Sequence, residues 1–145
     1  MAIAQRSAQC NWNGDLAHGE GVVNGASGAL AELPVTWASR TERSAGQTSP
    51  EELIAAAHAS CFSMALAHEL SQAGNVPDRL EVTARVTLDE RDGAPTVTTS
   101  EITVAGRVPA IDQEAFTKAA TNAGKQCPVS RALAGLEISV QATLS

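Results

Sequence analysis

The sequence predicts an α+β fold in which antiparallel sheets surround one long, buried central helix. The stretch Thr48–Glu69 contains no Asp, Glu, Lys or Arg between Leu53 and Leu66, as expected of a helix packed on most of its sides. From Leu80 to Asp89 apolar and polar residues alternate with a period of two, which is typical of a half-buried strand. Strands that run together around a few helices favour an α+β fold over a doubly wound sheet.

The bulk composition narrows the possible functions. A chain of 145 residues, 43% hydrophobic and 18% charged, suits a single domain spanning residues 1–145 with a real core. A net charge of −6 without a basic run disfavours nucleic acid and acidic membrane surfaces as partners. Residues 1–7 lack the apolar core of a secretory signal. The presence of His58 inside the central helix, and of His68-Glu69 at its end, argues against a membrane span.

The first half of the sequence predicts short strands followed by the central helix. Short strands are predicted at Ala8–Trp12, Gly19–Asn24 and Leu33–Trp37, followed by a polar loop at Thr41–Gln47. The helix should then run from Pro50 to about Gln72. In its capping box Ser49 accepts from the backbone of Glu52 and the Glu52 side chain reaches back, while Pro50 takes the first helical position.

The second half of the sequence predicts a hairpin, two helices and a strand. The strand at Leu80–Asp89 turns at Asp92-Gly93 and returns over Thr96–Val108. A helix capped by Asp112 and ending at Gly124 follows, then a short helix from Pro128 and a final strand at Ile138–Ala142. These elements supply too little cover for a helix buried on nearly all faces. We therefore expect a second subunit to share the central helix.

Two of the three cysteines are candidates for chemistry. An odd cysteine count without an export signal favours reduced thiols in the cytoplasm, used for chemistry or metal binding. Cys61 lies mid-helix, where an apolar setting should raise the pKa of its thiol, so it is either an inert core residue or is activated by a neighbouring cation. Cys127 precedes Pro128 at a helix start that favours a thiolate, and on this physics it is the better first nucleophile. Cys10 has no such neighbourhood.

Charged residues ahead of the helix could activate Cys61. Arginine stays charged and can bond both a sulfur and a peroxide oxygen. Arg40 is our candidate and Arg43 its competitor; a solvated surface arginine is the alternative for Arg40. Glu51 could fix the arginine as a bidentate partner. Alternatively, it could simply be an acidic residue that the helix dipole favours in the first turn.

His58 lies three residues before Cys61 on the same helix face. It could act as a general base or join the two thiols on a metal, but three ligands fall short of a closed zinc site. We expect a packed, hydrogen-bonded histidine and no metal or other cofactor.

Several motifs together resemble a known family. They are Pro50-Glu51-Glu52-Leu53-Ile54, His58-Ala59-Ser60-Cys61-Phe62-Ser63-Met64-Ala65-Leu66 and Cys127-Pro128-Val129-Ser130, with Trp12-Asn13-Gly14-Asp15 near the start. They are similar to the osmotically inducible protein C and organic hydroperoxide resistance family of thiol peroxidases, over essentially the whole chain. His58 and the run after Cys61 resemble the osmotically inducible branch.

The resemblance implies a fold, an activity and a set of roles. It implies an intertwined homodimer that reduces organic hydroperoxides to alcohols without a metal. Cys61 would become a sulfenic acid and Cys127 would close a disulfide with it. Arg40, in an Arg-x-Glu context, would stabilise the thiolate and the leaving alkoxide, and Glu51 would hold Arg40. A thiol reductant, in this family a lipoylated protein, would restore the thiols.

A function of another class remains open from the sequence. The chain could be a binding protein that carries an apolar ligand or a metal, with thiols that are structural. The thiol titre after one equivalent of an organic hydroperoxide distinguishes the two functions.

Overall fold

The computed structural model describes residues 1–145, which divide into two compact units, 1–53 and 54–145. Each unit contains one three-stranded sheet. The boundary follows Leu53, early in the long helix α2, Pro50–Gln72. The class predicted from the sequence, α+β with sheets and a central helix, is confirmed.

The first unit is built on an antiparallel sheet. Its strands are β1, Ala8–Asn13; β2, Glu20–Gly25; and β3, Leu33–Val35, in that order across the sheet. The first two strands match the predicted ones within a residue or so. The third strand is shorter than predicted because the chain turns into a short helix, α1, Trp37–Thr41.

Helix α1 forms because its first turn is closed by a reciprocal cap. The Thr36 hydroxyl accepts from the Ser39 N–H at 3.0 Å, and the Ser39 hydroxyl accepts from the Thr36 N–H at 2.9 Å. The Ser39 hydroxyl also donates to the Thr48 carbonyl at 2.9 Å, which ties the helix to the chain just before α2. Arg40 therefore lies on a helical turn fixed to the start of α2.

The second unit contains the rest of α2, a long hairpin, two helices and a last strand. In order, the further elements are β4, Arg79–Arg91; β5, Ala94–Arg107; α3, Gln113–Gln126; α4, Pro128–Ala132; and β6, Glu137–Leu144. Asp92 and Gly93 both adopt positive φ, +53° and +78°, as the predicted tight hairpin turn between β4 and β5 requires.

One strand pairing departs from the antiparallel expectation. Strand β6 lies beside β5 in parallel, with Ile138 opposite Ser100 and Val140 opposite Ile102. A parallel pair needs a crossover connection. Helices α3 and α4 provide it, since they occupy the chain between the two strands, and the crossover also carries Cys127.

The core of the second unit forms where α2 and α3 pack on the sheet. Its buried apolar side chains come from α2, β5, α3 and the segments that follow β5 and α3: Phe62, Leu66, Leu70, Ile102, Val104, Val108, Phe116, Ala120, Ala123 and Cys127.

Helix α2 is buried along one stripe only. His58, Phe62, Leu66 and Leu70 recur every fourth residue and are at most 1% exposed. On other faces Ser60 is exposed and the Met64 residue is 72% exposed. One chain alone does not pack the helix on most of its sides, and the expected cover by a second subunit stays a prediction.

Length and composition alone would allow α2 to cross a membrane, contrary to the expectation from the sequence. Many core helices of globular proteins meet the same criteria. In this chain the stripe of α2 that contains His58 packs on β5 and α4 through hydrogen bonds, which is the environment of a core helix.

Candidate active site

The structure brings together the two cysteines singled out from the sequence. Cys61 lies on α2 and is half-buried, whereas Cys127 links α3 to α4 and is fully buried. Both thiols are free, and Cys61 packs against the buried cluster that contains Cys127.

The start of α4 favours a thiolate at Cys127. Burial opposes ionisation of this thiol, but the neighbouring polar groups of Ser130, Cys61 and Val129 outweigh burial and lower its pKa. The pKa therefore shifts in the direction expected from the sequence.

The pKa of the Cys61 thiol moves in the opposite direction. Burial raises it, the Val129 N–H partly offsets this, and donation to Cys127 together with the charge on that sulfur raises it further. Cys127 is therefore the more acidic of the two thiols.

The two cysteines also differ in their exposure to solvent. A reagent from solvent can reach the half-buried Cys61, whereas Cys127 is 0% exposed. The accessible sulfur suits reaction with an external oxidant. The buried, more acidic thiol suits an internal attack on its neighbour and is the better leaving group when a disulfide opens.

A charged pair occupies the first unit. The Arg40 Nε donates to both Glu51 carboxylate oxygens at 3.0 and 3.2 Å, and Nη2 donates to Oε1 at 2.8 Å. The Arg40 guanidinium also lies over the Trp37 ring, 5.8 Å from its centroid. With side-chain exposures of 28% and 10%, this is a bidentate pair largely removed from solvent.

The competing residues have other environments. Arg43 is exposed and takes part in no salt bridge. The Glu52 N–H donates to the Ser49 hydroxyl at 3.1 Å, as the predicted cap requires. The Glu52 carboxylate, however, accepts from the Thr48 hydroxyl at 2.8 Å, so the return half of the predicted capping box is replaced.

His58 is a packed, hydrogen-bonded histidine. Its ring is 0% exposed, with Nδ1 2.6 Å from the Ser100 hydroxyl and Nε2 2.7 Å from the Ser130 hydroxyl. Burial lowers its pKa, which keeps the ring neutral. Both nitrogens are occupied by hydroxyl groups, so neither is free for a metal, and no group of three His, Cys, Asp or Glu residues is placed to hold one.

Cys10, Phe62 and Met64 differ in exposure. Cys10 is exposed on β1. Phe62 is 0% exposed and belongs to the core, whereas Met64 is open to solvent.

Ser100 and Ser130 were missed as individual contributors from the sequence. Ser130 was noticed only as part of the motif after Cys127, and Ser100 lies in a Thr-rich strand without any signal. A serine pointing into the core at an apolar position of β5 is the one feature that could have indicated a buried polar partner.

The chain is also similar to known proteins. Residues 43–142 match the family model described as OsmC-like protein. The chain is 41% identical to Peroxiredoxin OsmC of Escherichia coli strain K12 over 128 residues, covering 88% of this chain and 89% of that protein.

Solved structures share the fold of this chain. The structure of the organic hydroperoxide resistance protein OhrB of Bacillus subtilis is 25% identical, covers 96% of this chain and 98% of its own, and has a TM-score of 0.69. A structure from Legionella pneumophila, described as an organic hydroperoxide resistance protein OsmC, has a TM-score of 0.71 at 22% identity, covering 100% and 99% of the two chains. The chain belongs to the OsmC-like family.

Proposed function

We propose that this chain is a cysteine-dependent thiol peroxidase that reduces organic hydroperoxides to alcohols. The observation that carries the proposal is the pair of free thiols, Cys61 and Cys127, with opposite pKa shifts and unequal exposure. Similarity to Peroxiredoxin OsmC and to OhrB, an organic hydroperoxide resistance protein, supports the same activity.

The chemistry begins at the accessible sulfur. The Cys61 thiolate attacks the distal oxygen of the hydroperoxide, the O–O bond breaks, and the alkoxide takes a proton to leave as the alcohol. The Cys127 thiolate then attacks the Cys61 sulfenic sulfur, forming an S–S bond and releasing hydroxide, which becomes water. The lowered pKa of Cys127 supports this second role, since it increases the fraction of this thiol that is present as thiolate.

The first step needs a cation, because burial raises the pKa of Cys61. We propose Arg40 for this role, with Glu51 holding the guanidinium so that its free N–H groups serve the thiolate and the leaving oxygen. The bidentate pair supports the choice of Arg40 over the exposed Arg43.

The partners follow from the chemistry. Each turnover consumes a hydroperoxide and requires a thiol reductant to reopen the disulfide; the family resemblance suggests a lipoylated protein. We further propose that residues 1–145 act as one OsmC-like domain in the cytoplasm, where thiols stay reduced. The family match, which spans parts of both units, supports the single functional domain.

A homodimer is part of the proposal. The exposed face of α2 supports it, because Met64 and its small neighbours would be covered by a second copy. Light scattering across a range of protein concentrations tests it, and a particle that stays monomeric at micromolar concentration contradicts it.

The test of the activity is a thiol count. One equivalent of cumene hydroperoxide should remove two of the three thiols per chain and leave Cys10. An unchanged count would contradict the peroxidase and favour a ligand-binding protein with structural thiols.

A further inference from the structure

His58 is a buried side chain that the proposed peroxide chemistry does not use. Its Nε2 lies 2.7 Å from the Ser130 hydroxyl of α4, and its Nδ1 lies 2.6 Å from the Ser100 hydroxyl of β5. These distances are those of good hydrogen bonds. The ring is 0% exposed, and both serines are buried, so water does not compete for either bond. The bond between His58 and Ser130 therefore joins α2 directly to α4.

The two ends of this bond lie equally far along the chain from the two thiols. Cys61 follows His58 by three residues on α2, and Cys127 precedes Ser130 by three residues at the N-cap of α4. Three residues are just under one helical turn, about 4.5 Å along the axis of a helix. Cys61 also packs against the buried cluster that contains Cys127. The bond therefore holds the two turns that carry the thiols against each other.

Helix α4 depends on contacts outside itself for its position. It has five residues, Pro128–Ala132, and Cys127 at its N-cap makes no side-chain cap hydrogen bond. A helix this short is marginal by itself. Its first turn is closed by the Arg131 N–H, which donates to the Cys127 carbonyl at 3.0 Å. A tether at Ser130 thus fixes the whole turn, Cys127 included, against α2.

We propose that His58 and Ser130 are positioning residues whose hydrogen bond keeps Cys127 aligned with Cys61 for disulfide closure. Ser100 satisfies the second ring nitrogen and takes no part in this alignment. In catalysis, which rests on the proposed function, the Cys127 thiolate attacks the Cys61 sulfenic sulfur, the S–S bond forms, and hydroxide leaves and becomes water. Holding the two reacting groups in place speeds this step without changing its chemistry.

The alignment can be measured without any peroxide. In a Cys10→Ser background only Cys61 and Cys127 remain, and glutathione disulfide oxidises the pair. A mixed disulfide forms at one cysteine, the other thiolate attacks it, and two molecules of reduced glutathione are released for each protein disulfide. The equilibrium constant is an effective concentration of one thiol at the other. Alkylation of the remaining thiols and mass spectrometry give its value.

Ser130→Ala should lower this effective concentration about tenfold, the size expected for one lost hydrogen bond. Ser100→Ala is the matched control, because it removes a bond of nearly equal length to the same ring and leaves the link between α2 and α4. It should stay within about threefold of the parent. An equal fall in both variants would contradict the proposal, since the loss would then come from general destabilisation.

Two amide substitutions at His58 test the two ends of the ring separately. A glutamine amide reaches about as far as Nε2 and can still bond Ser130, whereas an asparagine amide reaches only as far as Nδ1, which faces Ser100. His58→Gln should stay within about threefold of the parent, and His58→Asn should fall about tenfold. This pair decides if Ser130→Ala does not fold. Parent values in His58→Asn, or a larger fall in His58→Gln, would overturn the proposal.

The direction of the change separates alignment from acidity. A less acidic Cys127 thiol would make the disulfide easier to form, because the reduced protein would be less stable, and the equilibrium constant would rise. Loss of alignment lowers the same constant. A rise in Ser130→Ala would therefore contradict the positioning role.

The proposal and the peroxidase function fail in different ways. A parent that forms the disulfide with glutathione but loses no thiols to cumene hydroperoxide would count against the peroxidase and leave the positioning role intact. A parent that loses thiols to the hydroperoxide but forms no disulfide with glutathione at any ratio would count against the positioning role alone.

Discussion

Arg40 and Glu51 share three hydrogen bonds of 2.8 to 3.2 Å, which join the last turn of α1 to the first turn of α2. The guanidinium is held on one edge by the carboxylate and on one face by Trp37. A side chain fixed in this way loses little conformational freedom when it meets a substrate, which is the property required of a preorganised cation.

Arg40→Ala is expected to cut the rate of hydroperoxide reduction about a hundredfold, the order seen when one preorganised donor is lost. The rate should also shift to higher pH, because the Cys61 thiol, whose pKa burial raises, loses the cation proposed to favour its thiolate. The measurement is peroxide consumption against pH. The matched control is Arg43→Ala, an exposed arginine three residues on, which should be near the parent. If Arg43→Ala lost activity while Arg40→Ala kept the parent rate, the role would belong to Arg43.

Arg40→Lys and Glu51→Gln should both give partial defects. An ammonium keeps the charge but lacks the planar fork that can hold a carboxylate and a peroxide together. Glutamine leaves the arginine in place but weakens its anchor to a neutral hydrogen bond. Rates between those of the parent and Arg40→Ala are expected in both, measured under single-turnover conditions. A Glu51→Gln enzyme slower than Arg40→Ala would contradict a purely orienting Glu51.

The two cysteines should separate by product. Cys61→Ser should abolish peroxide consumption, whereas Cys127→Ser should react once and accumulate a sulfenic acid, because the resolving thiolate is gone. Dimedone labelling followed by peptide mass spectrometry reports the outcome. Labelling of Cys127 in Cys61→Ser, with none of Cys61 in Cys127→Ser, would reverse the roles in favour of the more acidic sulfur.

The buried His58 should make folding stability depend on pH. Burial lowers its pKa in the folded state below the value of about 6.5 in the unfolded chain. The unfolded state therefore binds more protons between these two values, so the stability is complete above about pH 6.5 and is lost as the pH falls. His58→Gln removes this contribution, and its thermal midpoint should fall less than that of the parent between neutral pH and pH 5.5. Parallel curves for the two proteins would contradict this prediction.

Gly106 on β5 should tolerate no side chain. A Cβ there would clash with the ring of Phe116, which is fully buried. Gly106→Ala should therefore cost about 1 to 3 kcal/mol in the free energy of unfolding, measured with urea. Gly135→Ala is the control, since a Cβ at that position meets nothing within 4 Å. Equal free energies of unfolding for the two variants would contradict this prediction, because they would show that Phe116 can make room for the added Cβ.

Local signals in the sequence were sufficient for the large elements. The cap and the apolar run of α2, and the Asp92-Gly93 turn of the hairpin, are set by residues close together in the chain. Helix α1 was missed because five residues carry too little periodicity, and its cap uses Ser39 where Glu or Gln is the usual signal. The parallel course of β6 depends on where a crossover returns the chain, which alternation alone does not contain.

The candidate site was predictable as a set of residue types, and less so as a set of contacts. Cys61, Cys127, Arg40 and Glu51 were named from their contexts. The partners of His58 are 42 and 72 positions away, in β5 and α4, and no local pattern links them. The pairing of Arg40 in preference to Arg43 depends on the cap of α1, which fixes the side of the helix turn that meets Glu51.

The crossover that returns the chain to β6 also separates the two thiols along the sequence, with β4, β5 and α3 between them. A disulfide between Cys61 and Cys127 therefore closes a very long loop. In the chain-entropy model such a closure removes unfolded conformations worth about 4 kcal/mol. The disulfide thus cross-links most of the second unit. The second unit should therefore resist heat and proteases better in the oxidised protein than after the reductant has opened the bond.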